Sequence, residues 1–267
     1  MTPLPCQGDP EGVSRESRSR LHPGDQAALQ GVQGLRGGQR PEPPGPAGAH
    51  PRAIGPNGAG KTTVFNLLTK FLTPTTGTIL FNGTDITREE PADIALRGVI
   101  RSFQISAVFP GLTPLENVRV ALQRATNTSY QFWKSDRCLR QLDDRAMALL
   151  ESVGLAEFSG AITGELAYGR KRALEIATTL ALEPKLMLLD EPTQGMGAED
   201  VDRITALVKQ ASTGRTILMV EHNLKVVETL ADRITVLQRG AILAEGSYAE
   251  VSQDPQVMEA YMGSAHA

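Results

Sequence analysis

The sequence predicts an α/β fold with buried parallel strands, and three observations carry that prediction. A glycine-rich loop, Gly55-Pro56-Asn57-Gly58-Ala59-Gly60-Lys61-Thr62, runs straight into a helical pattern in which Val64, Leu67, Leu68 and Phe71 share a face. Leu186-Met187-Leu188-Leu189 is an apolar run that ends in two carboxylates, Asp190 and Glu191. Thr216-Ile217-Leu218-Met219-Val220 is a second such run. Runs without polar alternation are what a parallel sheet covered by helices on both faces requires.

The first 53 residues do not fit that plan. Residues 1–52 hold nine of the 17 prolines and nine of the 26 glycines, and no Phe, Tyr, Trp, Ile or Lys. So little apolar surface cannot offset the entropy of ordering, so the composition predicts an aberrant, disordered or poorly folded segment over 1–53. His50-Pro51-Arg52-Ala53-Ile54 is a poor strand to lead into the loop, because Pro51 removes a ladder donor. A frameshift accounts for this. Leu29-Gln30-Gly31-Val32, read one base later with permitted codons, gives Cys-Lys-Glu-Phe. Continuing to Ala53 gives a strand-rich peptide with alternating apolar residues and an Asn-Asp turn. On this reading residues from about 22 to 53 are scrambled and the frame is restored before Ile54; the coding DNA over residues 1–60 tests it.

From Ile54 onward each element has its signal. Thr78-Ile79-Leu80-Phe81 before Asn82-Gly83 predicts a strand and tight turn. Residues 88–165 predict a mostly helical subdomain, with Ala146, Leu149, Leu150 and Val153 on one face. A helix over Ala173 to Leu182 precedes the strand 186–189. Val201, Ile204, Leu207, Val208 and Ala211 predict an amphipathic helix ending near Gly214. Ile234–Leu237 and Ala241–Ala244 flank Arg239-Gly240 as a hairpin. Asp254 as N-cap with Pro255 at the first helical position opens a last helix. The domain plan is an α/β core over 54–87 and 166–246, the helical subdomain between them, and a C-terminal helix and tail over 247–267.

The loop matches the phosphate-binding pattern G-x-x-x-x-G-K-[ST]. Its glycines let backbone N–H groups turn inward onto phosphate oxygens, Lys61 adds a mobile cation, and the Thr62 hydroxyl is a hard oxygen suited to Mg²⁺. The helix that follows favours an anion at its start. Asp190 at the strand end is placed to hold Mg²⁺, and Glu191 to orient and deprotonate an attacking water. Ser102-Phe103-Gln104, the stretch Leu166-Ala167-Tyr168-Gly169-Arg170 and His222 are individually ordinary. Their order and spacing around the loop and the carboxylates are not.

That set resembles the ATP-binding subunit of an ABC transporter from Ile54 to about Gly263. The stretch Arg101–Asn117 and the ending Asp254–Gly263 resemble the LivG type, which serves importers of branched-chain amino acids; close relatives serve urea and amides. The resemblance implies that Gly55 to Thr63 and the signature Leu166–Arg170 bind ATP, the signature acting on nucleotide held by a second subunit. It implies Mg²⁺ at Thr62, Gln104 and Asp190, and catalysis by Glu191, His222 and Gln104. It places Gln194–Asp200 at the D-loop between the subunits. The implied partners are integral-membrane permease subunits, a second ABC ATPase subunit (heterodimer favoured over homodimer), and, indirectly, an extracytoplasmic binding protein. The implied location is the cytoplasmic face of the inner membrane. The loop Val108-Phe109-Pro110-Gly111 is the expected permease contact, and Phe132 and Trp133 are expected in the core. ATPases that export lipid or lipopolysaccharide share this length and motif set.

Two departures from the pattern stand out. Ala167 and Arg170 replace the usual Ser and Gln of the signature. The aromatic that normally stacks on adenine near the N-terminus has no counterpart in residues 1–53, which predicts weak ATP binding and a poorly stable domain, or an inactive product.

Composition narrows the classes further. The chain has 267 residues, 40% of them hydrophobic and 21% charged, with net charge -3. It is one large domain or two small ones, with no electrostatic case for nucleic acid. No apolar run is long enough to span a membrane, and no apolar stretch after Met1 predicts a signal peptide. Cys6 and Cys138 have no metal or redox spacing.

Overall fold

The computed structural model describes the backbone of residues 51–54, 59–102, 108–125 and 142–263. Gly55 to Gly58, Gln104, Cys6, Cys138, Phe132 and Trp133 lie outside the described residues. Eight strands are described: β1 (Pro51–Ile54), β2 (Leu80–Phe81), β3 (Thr84–Asp85), β4 (Val99–Ser102), β5 (Leu186–Asp190), β6 (Thr216–Val220), β7 (Arg233–Gln238) and β8 (Ala241–Gly246). The helices are α1 (Lys61–Leu68), α2 (Pro91–Leu96), α3 (Pro114–Ala125), α4 (Asp143–Ser152), α5 (Tyr168–Ala181), α6 (Ala198–Ala211), α7 (Leu224–Leu230), α8 (Tyr248–Ser252) and α9 (Pro255–Gly263).

Six strands form one sheet in the order β4-β5-β6-β1-β7-β8. All neighbours are parallel except the β7–β8 hairpin. The period of two along β5 and β6 divides the core. Met187, Leu189, Ile217 and Met219 face one cluster, with Leu150, Leu174 and Ile204 from the helices. Leu186, Leu188, Leu218 and Val220 face the other, with Phe65, Leu67 and Leu68 of α1. Emptying such a site by Leu→Ala costs about 2–5 kcal/mol.

Several elements follow their sequence signals. Asn82 (φ 49°) and Gly83 (φ 77°) make the left-handed turn between β2 and β3. Asp254 caps α9, its Oδ1 accepting from the Gln256 and Val257 backbone N–H at 2.8 and 3.4 Å. Ala146, Leu150 and Val153 are buried and Leu149 packs beside them.

Other elements differ from expectation. β1 is a central strand in spite of Pro51. The proline is its first residue, paired only with Arg233 of β7, and at that position a missing donor is tolerated. The segment 88–165 contains a strand, β4, which joins the main sheet beside β5 although the stretch reads as helical. Phe71 is not on the buried face of α1. That helix ends at Leu68, and Phe71 is 59% exposed.

Candidate nucleotide-binding site

The loop of residues 55–60 joins the end of β1 to α1, and its described end is tightly held. Gly60, the N-cap of α1, is left-handed (φ 97°), a conformation that glycine adopts readily, and a side chain there would press on Gly240 of the β7–β8 turn at 3.3 Å. The Gly240 N–H donates to the Ala59 carbonyl at 2.9 Å, so the hairpin braces the loop. No acidic residue occupies the first turn of α1, which leaves its partial positive charge for an anion. Lys61 is buried, and Thr62 is exposed at the helix start. Burial pushes the Lys61 ammonium below the usual lysine range, while Glu191, Asp190 and Glu221 pull it back up. A desolvated ammonium among carboxylates, beside open helix N–H groups, is suited to a polyanion that carries its own cation.

β5 delivers Asp190 buried at the sheet's C-terminal edge, where ligands bind in open α/β sheets. Glu191, one residue on, is left-handed (φ 44°) without being glycine, a strained conformation of the kind that clusters at functional sites. Its N–H donates to the Val220 carbonyl at 2.9 Å. His222 follows β6 and is half exposed. Its Nδ1 lies 3.7 Å from Glu191 Oε1 and 3.9 Å from Glu221 Oε2. Lys61, Asp190, Glu191 and His222, singled out from sequence, therefore converge.

The stretch 166–170 leads into the first turn of α5, which begins at Tyr168. Ala167 is its N-cap with no side-chain hydrogen bond, and Tyr168 is exposed. Gly169 is buried against α6, where an added Cβ would meet Asp200 Oδ1 at 2.5 Å. Arg170 stacks its guanidinium over the Phe158 ring at 4.0 Å, so it packs within its own subunit. The helix, begun five residues earlier than the sequence pattern suggested, presents open backbone N–H groups at Tyr168 and Gly169.

Three charged residues at the site escaped the sequence reading. Arg101 of β4 donates to Asp190 Oδ2 and to Asn66 Oδ1. Arg172 pairs with Glu175 in the interior and donates to the carbonyls of Asp190 (3.1 Å) and Pro192 (3.3 Å), bolting α5 to the end of β5. Glu221 is fully buried. The available signal was a lone charge at the end of an apolar run, or an i,i+3 pair on a helix's apolar side.

Beyond the nucleotide edge, a cleft of about 380 Å³ lies between α2, β4, α3 and α5, with Phe71, Ile94, Val99, Phe109, Val120 and Arg101 among its walls. Phe71, Phe109 and Val120 expose 59%, 54% and 40% of their surface beside it. No helix among the described residues is long and apolar enough to cross a membrane.

A brace of phosphate loop, acidic strand end and following histidine on a mostly parallel sheet defines a P-loop nucleotide-binding protein. The family model described as "ABC transporter" matches residues 46–194, and that of the "Branched-chain amino acid ATP-binding cassette transporter" matches residues 241–267. The chain belongs to the ABC transporter family. It is 40% identical over 219 residues to the Pseudomonas aeruginosa high-affinity branched-chain amino acid transport ATP-binding protein BraF, covering 79% of this chain and 86% of BraF. It is 37% identical, with the same coverage, to LivG of Escherichia coli, which bears the same functional description. Among solved structures, the ADP conformation of MJ1267, an ATP-binding cassette of an ABC transporter, aligns with a TM-score of 0.69 at 30% identity. That alignment covers 81% of this chain and 89% of MJ1267.

Proposed function

We propose that this chain hydrolyses ATP to energise an importer of branched-chain amino acids. The convergence of Lys61, Asp190, Glu191 and His222 at the sheet edge carries the catalytic part. The match of residues 241–267 and the names of BraF and LivG favour branched-chain amino acids over urea, amides or lipid.

The roles follow from position. Lys61 and the α1 N-terminus bind the β- and γ-phosphates. Among the described residues no cluster of three or more His, Cys, Asp or Glu is arranged for a metal. The Thr62 hydroxyl and the Asp190 carboxylate fit Mg²⁺ all the same, since that ion takes one or two protein oxygens and fills its shell with phosphate and water. Bound there with Gln104, it would neutralise charge on the phosphates. Glu191 is the general base for the attacking water, and His222 hydrogen-bonds the γ-phosphate. The signature N–H groups of α5 complete the site of a second ATPase subunit, for which a heterodimer is the favoured arrangement.

The apolar cleft beside Phe71 and Phe109 is the proposed seat of the membrane permease. A permease contact would place the protein on the cytoplasmic face of the inner membrane, with the substrate-binding protein on the other side. Val108–Gly111 supports this, since Phe109 lines that cleft.

Nucleotide binding and hydrolysis measured on the purified chain test the catalytic reading. Lys61→Ala is expected to lose nucleotide binding; Glu191→Gln is expected to retain it and lose turnover by at least about a hundredfold. Full turnover in Glu191→Gln would remove Glu191 as the base. Leucine and urea uptake by the transporter assembled in proteoliposomes tests the substrate, and ATP-driven urea uptake without leucine uptake would refute the amino-acid assignment.

A further inference from the structure

We propose that Glu221 is a positioning residue that holds the two catalytic segments in register, an inference that rests on Glu191 as base and His222 as phosphate ligand. Its carboxylate is fully buried between those segments. Oε1 accepts from the Thr193 backbone N–H at 3.1 Å and from the Thr193 hydroxyl. Oε2 accepts from the backbone N–H of His222 at 2.9 Å and of Asn223 at 3.2 Å. One oxygen thus grips the chain two residues beyond Glu191. The other grips the histidine itself and the residue that caps α7.

The chemistry requires a carboxylate. An ionised carboxylate only accepts, with about four lone-pair positions, and four donors fill them here. A glutamine of the same shape would turn an NH₂ group toward one of the two donor pairs, leaving buried N–H groups opposed. The clamp also suits the backbone it holds. Glu191 keeps its strained left-handed conformation because both sides are tied, its N–H to Val220 and its carbonyl to the Gln194 N–H at 3.1 Å. With Thr193 fixed to the His222 turn, Glu221 ties together the two backbone segments whose side chains, Glu191 and His222, lie 3.7 Å apart.

The test separates turnover from binding. In Glu221→Gln, kcat is expected to fall about ten- to a hundredfold, the scale of a small misplacement at a reacting centre, while the Kd for ATP stays within about threefold. Thr193→Val removes one of the four donors and should lower kcat several-fold; Thr193→Ser should restore it, which keeps the test open if Glu221→Gln fails to fold. Unchanged kcat in both Glu221→Gln and Thr193→Val would overturn the proposal. So would a parallel loss of kcat, ATP affinity and thermal stability without rescue by serine, the pattern of a purely structural carboxylate. Glu191→Gln and His222→Ala serve as controls. If they keep turnover, the underlying site assignment fails; if they lose it while the Glu221 and Thr193 variants do not, the clamp alone fails.

Discussion

Arg101 Nη2 lies 2.6 Å from Asp190 Oδ2, and the same guanidinium donates through Nη1 to Asn66 Oδ1 at 2.7 Å. It also lies over the Phe65 ring, 5.3 Å from the centroid. One side chain therefore joins β4, the last residue of β5 and the helix that follows the phosphate loop. Both partners of the ion pair are nearly buried, and Arg101 forms part of the wall of the apolar cleft. The carboxylate proposed to face Mg²⁺ is thus held from behind by a residue that reaches the proposed permease seat.

Arg101→Met should leave Asp190 as a buried, unpaired carboxylate and cost about 3 kcal/mol of stability, the scale for breaking a buried pair from one side. A saturating mixture of Mg²⁺ and ADP should recover a large part of that loss, because a second cation then faces Asp190. Thermal unfolding with and without Mg²⁺ and ADP checks this. An equal deficit under both conditions would separate Arg101 from the proposed metal ligand.

Phe71→Asp places a charge at the mouth of the cleft, on a residue already 59% exposed. Stability and ATP turnover of the isolated chain should stay within about twofold, since exposed positions tolerate substitution. Co-purification with permease subunits should be lost. Retained association would move the permease seat elsewhere.

Arg172→Met should destabilise by about 3–5 kcal/mol, because Glu175 is then left charged in the interior. Arg172→Met combined with Glu175→Met should recover part of the loss. Full recovery is not expected, because the Asp190 and Pro192 carbonyls lose a donor in both variants. Urea unfolding of the three proteins gives the comparison.

Lys70→Gly should stabilise the protein by about 1 kcal/mol, the scale of a left-handed conformation imposed on a non-glycine residue. Lys70 has φ 63°, and its Nζ is buried without a hydrogen-bond partner. Burial pushes its ammonium below the usual lysine range, against weaker upward pulls from Asp85 and Glu89. A lysine with a lowered folded pKa costs stability below that pKa, and the cost is relieved as pH rises toward the unfolded value. The advantage of Lys70→Gly should therefore be largest near neutral pH and shrink toward pH 10. A constant difference across that range would assign the gain to backbone conformation alone.

Much of the candidate site is legible in the chain because its parts are local. The phosphate loop, the apolar strand ending in Asp190 and Glu191, and the turn after β6 bearing His222 are contiguous, and each carries its chemistry in adjacent residues. The strand pattern of β5 and β6 was legible for the same reason, since a strand buried on both faces has no polar positions to mislead. β4 gives no strand signal, because four residues, Val99-Ile100-Arg101-Ser102, are too short to show a period and carry a charge. β1 reads as a poor strand because the sequence does not say which strand faces each N–H. Only its pairing shows that Pro51 stands where a donor is not required.

The sequence by itself determined the family, the phosphate loop and the carboxylate pair, since these depend on residue type and short spacing. Tertiary structure alone decided the partners that hold them. Arg101 reaches Asp190 across 89 residues, Arg172 reaches the end of β5 from a different helix, and Glu221 joins two segments 28 residues apart. The reason is physical: a buried charge is tolerated only beside its counter-charge or donors, and which groups those are depends on how strands and helices pack.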